Sequence, residues 1–346
     1  MLKKGLSKEP MIKKAGFEDY LYPSVYRLKQ NLYLLQFKVM KVLPAYNIIK
    51  TAFNKNIIDK NSKVIDTSSG TFALGLALVC NYYKLKLVIV SDPAMDEELK
   101  RRIEDLGANV IIVSQPDQKG NYQSKRLEQV NNIIKKESNI FWCKQYDNPD
   151  NLNAYKMTAE LITKTFEFKF DLVGSIGSGG STTGLIKHLR AVNSEIDLVG
   201  VDTFGSVLFG LPDRNRELRG LGNSVIPKNL DHKKYDEIHW ISAPIAYYWT
   251  RQLHKNYALF SGPTTGASYT VANYLSSKNS DKNYVFIGPD DGTRYIKTVY
   301  NDKWLADKGY ININHYKSIE PTLSNYTDEV NNNSEWTYMK WLRREL

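Results

Sequence analysis

Gly177-Ser178-Gly179-Gly180-Ser181-Thr182-Thr183-Gly184 follows an apolar run, Asp171 to Ile176, and opens a helical one, Leu185 to Arg190. The order is strand, tight glycine turn, helix start. Glycines let successive backbone N–H groups converge on one point, hydroxyls add donors, and a helix N-terminus carries partial positive charge. Such a turn suits a phosphate. The stretch lacks the closing Gly-Lys-Ser/Thr of a P-loop and the spread glycines of a dinucleotide turn, so the phosphate belongs to a smaller cofactor. The bland alternative is a Gly/Ser turn that only joins strand to helix.

Outward from that turn the chain alternates between strand and helix patterns. Strands are expected at 63–66, 86–91 and 109–113, with helices at about 72–83 and 95–106, the latter stopped by Gly107. A helix within 125–135 leads to a strand near 140–143, and strands at 171–176 and 197–201 flank the helix after the glycine turn. The fold class is therefore α/β, with doubly wound, mostly parallel sheets and ligands at the carboxyl ends of strands. Two Gly/Ser/Thr-rich turns, 67–71 and 177–183, lie at such ends and are expected to face one another across a cleft between two sheets. The expected organisation is a smaller N-terminal domain over 36–145 and a larger one over 146–310 joined by 1–35. Residues 311–346 form a C-terminal extension. Within it Asn331 to Asn333 reads as a loop, and Trp336, Met339 and Trp341 suggest an amphipathic helix packed on this subunit or a partner.

Composition narrows the function classes. Net charge is +10, but acids and bases are interspersed and the basic clusters are only pairs, such as Lys233-Lys234. That favours anionic small molecules over nucleic acid. The two cysteines, Cys80 and Cys143, sit in apolar contexts and argue against a disulfide framework or a thiolate metal site. The five histidines show no ligand spacing, so no metal is expected and hydrolase readings fail. Met1 to Lys14 is polar and Lys-rich, and no run reaches membrane-spanning length, so a cytoplasmic location without membrane partners is expected.

Six ordered segments resemble the cysteine synthase and cystathionine β-synthase family, pyridoxal 5′-phosphate enzymes of fold type II, the tryptophan synthase β-like fold. They are Ser68-Ser69-Gly70-Thr71, Gln145-Tyr146-Asp147-Asn148-Pro149-Asp150-Asn151, the turn at 177–181, Arg219-Gly220-Leu221-Gly222, Gly262-Pro263-Thr264-Thr265-Gly266-Ala267, and Asp290-Asp291-Gly292-Thr293-Arg294-Tyr295. One glycine loop is weak evidence, whereas six in order are specific.

The resemblance implies a lysine that holds the cofactor as a Schiff base shortly before the Ser-Ser-Gly loop. Lys41, 27 residues before Ser68, is the expected anchor and catalytic base, with Lys38 its rival. The family's Asn-Pro-x-Gly-Ser before this lysine is missing. Apolar neighbours would lower the Lys41 pKa and favour the neutral amine. Gly177, Ser178, Gly179, Gly180 and Ser181 would hold the phosphate, and Thr264 would meet the pyridine nitrogen. As a neutral hydroxyl it leaves the ring a weaker electron sink, which favours loss of a β-leaving group over transamination. Ser68, Ser69, Gly70, Thr71 and Gln145 would receive the substrate carboxylate. Thr71 stands where the family has Asn and supplies a hydroxyl in place of an amide, which bears on reaction specificity. It could also cap the following helix.

The implied activity is β-replacement on an O-activated serine, with sulfide or another small nucleophile adding to an aminoacrylate. Alternatives are an amine nucleophile as in makers of diaminopropionate-type amino acids, a serine or threonine dehydratase-type lyase, or a catalytically reduced binding protein. Arg214, Arg216 and Arg219 could meet a phosphate or carboxylate on a substrate. A homodimer is the family expectation.

Overall fold

The computed structural model of the chain describes residues 16–118, 120, 122–310, 313–325, 327, 330 and 335–346. A hairpin comes first, β1 (Ser24–Lys29) and β2 (Leu32–Gln36), then helix α1 (Val42–Asn54). Alternation follows through β3 (Lys63–Thr67), α2 (Thr71–Tyr83), β4 (Lys86–Ser91), α3 (Glu97–Asp105), β5 (Ala108–Ile112), α4 (Tyr122–Lys136) and β6 (Ile140–Trp142). Helices α5 (Asp150–Asn153) and α6 (Lys156–Thr165) lead to β7 (Phe170–Ser175), α7 (Gly180–Arg190), β8 (Leu198–Asp202) and β9 (Glu237–Ile241). The chain closes with α8 (Ala243–Tyr257), α9 (Pro263–Lys278), β10 (Asn283–Gly288), α10 (Asp302–Asp307), β11 (Thr322–Leu323) and β12 (Trp336–Lys340).

The strands form two sheets. The four-stranded sheet has the order β5-β4-β3-β6 and is wholly parallel. Its central strands are buried on both faces, which is why Val64-Ile65 and Leu87-Val88-Ile89-Val90 read as unbroken apolar runs. Strand order reverses between β3 and β6, so the segments after these two strands flank a crevice of the kind that binds ligands in open α/β sheets. The helix expected from Met95 begins at Glu97, because the Asp96 side chain accepts from Leu99 N at 2.8 Å and caps it.

The eight-stranded sheet has the order β1-β2-β10-β7-β8-β9-β12-β11. Its middle, from β2 to β9, is parallel, while β1 and β12 pair antiparallel with their inner neighbours. The glycine turn leaves β7, where order again reverses between β10 and β8. No helix among the described residues is long and apolar enough to cross a membrane.

The C-terminal segment corrects one expectation. Trp336, Met339 and Trp341 do not lie on a helix: Trp336–Lys340 is a strand antiparallel to β9. A strand sends odd and even positions to opposite faces. Trp336 packs in the cluster with Ile241 and Tyr284, and Met339 and Trp341 pack in the other with Phe209 and Trp240. The edge of β9 supplies the backbone partners that five residues could not find within themselves. Asn331 to Asn333 and the Lys-rich Met1 to Lys14 lie outside the described residues. Trp341 is 1% exposed, stands edge-on to Phe209 at 5.0 Å and donates through Nε1 to Arg344 O at 2.9 Å. Trp341→Ala is therefore expected to cost about 3–5 kcal/mol. Leu342→Ala, at an exposed side chain, should stay within about 0.5 kcal/mol. Urea unfolding of the two variants checks the contrast.

Candidate active site

From β2 the chain crosses between the sheets to α1. Phe37 N donates to Gly288 O at 2.8 Å and Met40 N to Pro289 O at 2.7 Å, which moors the crossing to the end of β10. Lys41 sits at the start of α1 with helical backbone angles, φ −65° and ψ −8°, so the segment is a helix entry and not an extended strand. Its Nζ donates to Ser178 Oγ at 3.3 Å. Burial lowers the Lys41 pKa from 10.5 to about 8, because the ammonium loses water without gaining a carboxylate. Lys38 is exposed, pairs with Asp19 at 3.1 Å and does not line the cavity that Lys41 enters.

The position of Lys41 depends on a glycine across the α1–α2 contact. A Cβ at Gly75 would lie 2.6 Å from Lys41 O, which is backbone and cannot swing aside. Gly→Ala inside a helix usually stabilises by about 1 kcal/mol. Gly75→Ala is expected to do the reverse and push Lys41 off its place. The check is slower cofactor uptake with near-normal far-UV circular dichroism.

The cavity measures about 660 Å³ and is walled by Lys41, Ser68 to Thr71, Gln145, Gly177, Ser178, Ser181 and Thr264. Both Ser/Gly-rich turns thus face the same space. Gly179 and Gly180 shape the turn behind that wall: Gly179 has φ +73° and Gly180 opens α7. A Cβ at Gly177 would sit 2.7 Å from Gly220 O, and one at Gly180 would sit 2.7 Å from Asn151 Oδ1. Ser178 and Ser181 present hydroxyls to the cavity, whereas Thr182 turns inward to Tyr235 Oη at 2.6 Å.

Across the cavity, Ser68 Oγ accepts from Gly70 N at 3.2 Å. Thr71 does not cap α2: it is the first helical residue, after Gly70 as N-cap, and it lines the cavity. Gln145 is buried and fixed, Nε2 donating to Thr67 O at 3.0 Å while its carbonyl accepts from Asn151 and Asn229. Beneath it Asp66 takes hydrogen bonds from Thr67 N, Trp142 Nε1 and Gln145 N. Burial nevertheless raises its carboxyl to about 6. Thr264 faces the cavity near the start of α9, and its neighbour Thr265 is fully buried outside the lining.

Sequence reasoning missed Arg126 in the lining and Asn229 behind it, and it gave Asp290 and Tyr295 no individual role within their segment. Arg126, on α4, is 8% exposed and pairs with Asp92 at 3.3 Å; its position amid polar neighbours looked like solvated helix surface. Asp290 and Tyr295 share a 2.7 Å hydrogen bond at the cavity wall, and burial raises Asp290 to about 6. Asn229, which orders Gln145, carries no signal in sequence at all. Of the three arginines considered for substrate, Arg216 is pinned within its own loop by Gly205 O, Asp213 and Ser224. Arg219 lines the cavity and donates to Ala94 O at 2.6 Å.

Comparison with known proteins agrees with this geometry. The family model described as "Pyridoxal-phosphate dependent enzyme" matches residues 10–290. An N-(2-amino-2-carboxyethyl)-L-glutamate synthase from Cupriavidus metallidurans is 31% identical over 230 residues, 66% of this chain and 67% of that protein. The O-acetylserine dependent cystathionine β-synthase of Helicobacter pylori superposes with a TM-score of 0.77 at 24% identity, over 84% of this chain and 100% of that one. The O-acetylserine sulfhydrylase isoform 3 of Entamoeba histolytica gives 0.78 at 21% identity, over 90% and 100%. These two likenesses support the fold, fold type II with mostly parallel sheets. The cofactor's needs fit the residues present: an amine of lowered pKa and a glycine cradle at a helix N-terminus meet in one cavity, within 3.3 Å at Lys41 and Ser178. The chain belongs to the pyridoxal-phosphate dependent enzyme family and is an enzyme that uses this cofactor.

Proposed function

We propose that the chain catalyses β-replacement on an O-activated serine, and that Lys41 is both the cofactor's anchor and the base acting at Cα. The observation that carries this reading is the approach of the Lys41 amine to the glycine turn, opposite the Ser68 to Thr71 loop. When bound, the cofactor supplies an electrophilic carbonyl carbon and an electron sink for charge arising at Cα. Gly177, Ser178, Gly179, Gly180 and Ser181 would hold its phosphate with backbone N–H groups, two hydroxyls and the N-terminus of α7. Thr264, which lines the cavity, would meet the ring nitrogen as a neutral hydroxyl.

Ser68, Ser69, Gly70 and Thr71 bind the substrate carboxylate, and the second amide hydrogen of Gln145 adds a donor. Lys41, once free, takes the Cα proton; its pKa of about 8 lets it be neutral before the transfer and charged after it near neutral pH. Residues 36–145 and 146–310 serve in this proposal as the two domains that bound the cleft, in a cytoplasmic homodimer. Sedimentation of the purified protein tests the dimer.

The nucleophile is sulfide or an amine. The amine draws support from the Cupriavidus relative, whose name denotes a carbon–nitrogen product. Offering O-acetylserine and O-phosphoserine against sulfide, glutamate and small amines, with products read by mass spectrometry, tests the reading. A substituted alanine is expected. Pyruvate and ammonia alone would make the enzyme a lyase and sink β-replacement.

The lowered pKa also sets a pH dependence. Protonated Lys41 is lost as pH rises through about 8, so the neutral fraction climbs about tenfold per unit below that point and levels above it. Capture of added cofactor by the apoprotein, followed by visible absorbance, should show this profile. A rate still climbing past pH 10 would mean an ordinary exposed lysine.

A further inference from the structure

The ladder between β3 and β6 ends at the pair Ile65 and Trp142, with Cys143 N donating to Ile65 O at 3.2 Å. Beyond it one side chain takes over the link between the two segments that flank the crevice. Asp66 is 1% exposed, and its Oδ1 accepts from Thr67 N at 2.6 Å and from Trp142 Nε1 at 3.2 Å, while Oδ2 accepts from Gln145 N at 3.2 Å. Gln145 Nε2 in turn donates to Thr67 O at 3.0 Å, which closes a ring of three residues across the end of the sheet. Between β6 and Gln145 the chain makes a left-handed turn at Lys144, φ +53°, a conformation that L side chains adopt rarely. The Gln145 N–H given to Asp66 is the first beyond that turn.

Thr67 roots the Ser68 to Thr71 loop, so one buried carboxylate braces both the loop and Gln145, the donors that the proposed function gives to the substrate carboxylate. Asp66 itself does not line the cavity. We propose that Asp66 is the positioning residue for recognition of the substrate carboxylate, its ionised form accepting three N–H groups at once and so aiming the loop and the Gln145 amide at one point. An ionised carboxylate only accepts, whereas the acid form carries a hydrogen of its own and a carboxamide carries two. Three donors already surround Asp66, so an added hydrogen has to displace one of them. Burial raises this carboxyl to about 6, which keeps it ionised at neutral pH and lets it fail in mild acid. Arg126 on α4 faces it as a charge, and Cys143 and Tyr146 beyond β6 face it as neutral groups, both raised by burial.

The proposal rests on the reading that the Ser68 to Thr71 loop and Gln145 receive the substrate carboxylate, and its test needs no turnover. The holoenzyme is titrated with L-alanine and with ethylamine, which lacks only the carboxylate, and binding is read from the visible absorbance of the cofactor. The ratio of the two affinities cancels the protonation of the amines and of Lys41. In Asp66→Asn this preference for L-alanine is expected to fall about tenfold at neutral pH, while affinity for pyridoxal phosphate stays within about twofold. In the wild type the preference should hold above about pH 7 and fall to the level of the variant below about pH 5. Asp290 also titrates at about 6 on the cavity wall, and Trp142→Phe separates the two. This variant takes one donor from Asp66 and none from Asp290, so the midpoint should move to higher pH. Trp142 lies outside the cavity wall, and its variant decides the matter even if Asp66→Asn does not fold. An unchanged preference in Asp66→Asn, or a midpoint unmoved by Trp142→Phe, overturns the assignment. So does an equal loss of affinity for cofactor and L-alanine, which would make Asp66 a support of the fold alone. A wild type that binds both amines alike overturns the carboxylate subsite as well. The β-replacement reading fails separately, when no nucleophile yields a substituted alanine.

Discussion

Lys41→Ala, purified and then mixed with excess pyridoxal phosphate, should stay without the visible band of the wild-type enzyme and lose at least about a thousandfold in turnover. The size of the effect follows from two tasks falling on one amine: it tethers the cofactor and moves the Cα proton. Lys38→Ala is the matched control. That lysine is exposed and engaged with Asp19, an ion pair worth at most about 1 kcal/mol in such a setting, so its removal should leave colour and turnover near wild type. The reverse pattern would place the anchor three residues earlier. Loss in both would point to a folding defect in the crossing from β2 to α1.

The second large effect is expected at the glycine turn. Gly179 has φ +73°, where an L side chain costs roughly 1–2 kcal/mol, and its added Cβ would come 2.7 Å from Leu230 Cα. Backbone cannot rotate away from that contact, so the turn must shift at a further cost of about 1–3 kcal/mol. Because the turn is the phosphate cradle, Gly179→Ala should weaken cofactor affinity by roughly two to three powers of ten while leaving the rest of α7 in place. Equilibrium dialysis against pyridoxal phosphate measures it. Inorganic phosphate should compete with the cofactor in the wild type and lose that ability in the variant. If affinity is unchanged, the cradle lies elsewhere.

Much of this architecture was legible in the sequence because parallel strands buried on both faces leave unbroken apolar runs, as in Leu87 to Val90 and Leu172-Val173, and glycine turns punctuate them. The cavity-lining positions Lys41, Ser68 to Thr71, Gln145, Gly177, Ser178, Ser181 and Thr264 could be named because each stands in or near a short ordered segment. Other parts had no local signature. The apolar residues after Glu335 carry no local strand signature, and only the open edge of β9, almost a hundred residues away, makes Trp336–Lys340 a strand. Arg126 looks like surface until Asp92 is brought against it, and Asn229 orders Gln145 through a contact 84 residues long in sequence. Pairing likewise decides which arginines are available: Arg216 is held in its own loop by Gly205 O, Asp213 and Ser224, while Arg219 lines the cavity with a bond to Ala94 O.

The most direct measurement is reduction of the holoenzyme with borohydride, which fixes the cofactor to its lysine, followed by peptide mass mapping. The modified residue should be Lys41, whose amine lies 3.3 Å from Ser178 Oγ. A pyridoxyl adduct on Lys38 or any other lysine, with Lys41 unmodified, would contradict the account.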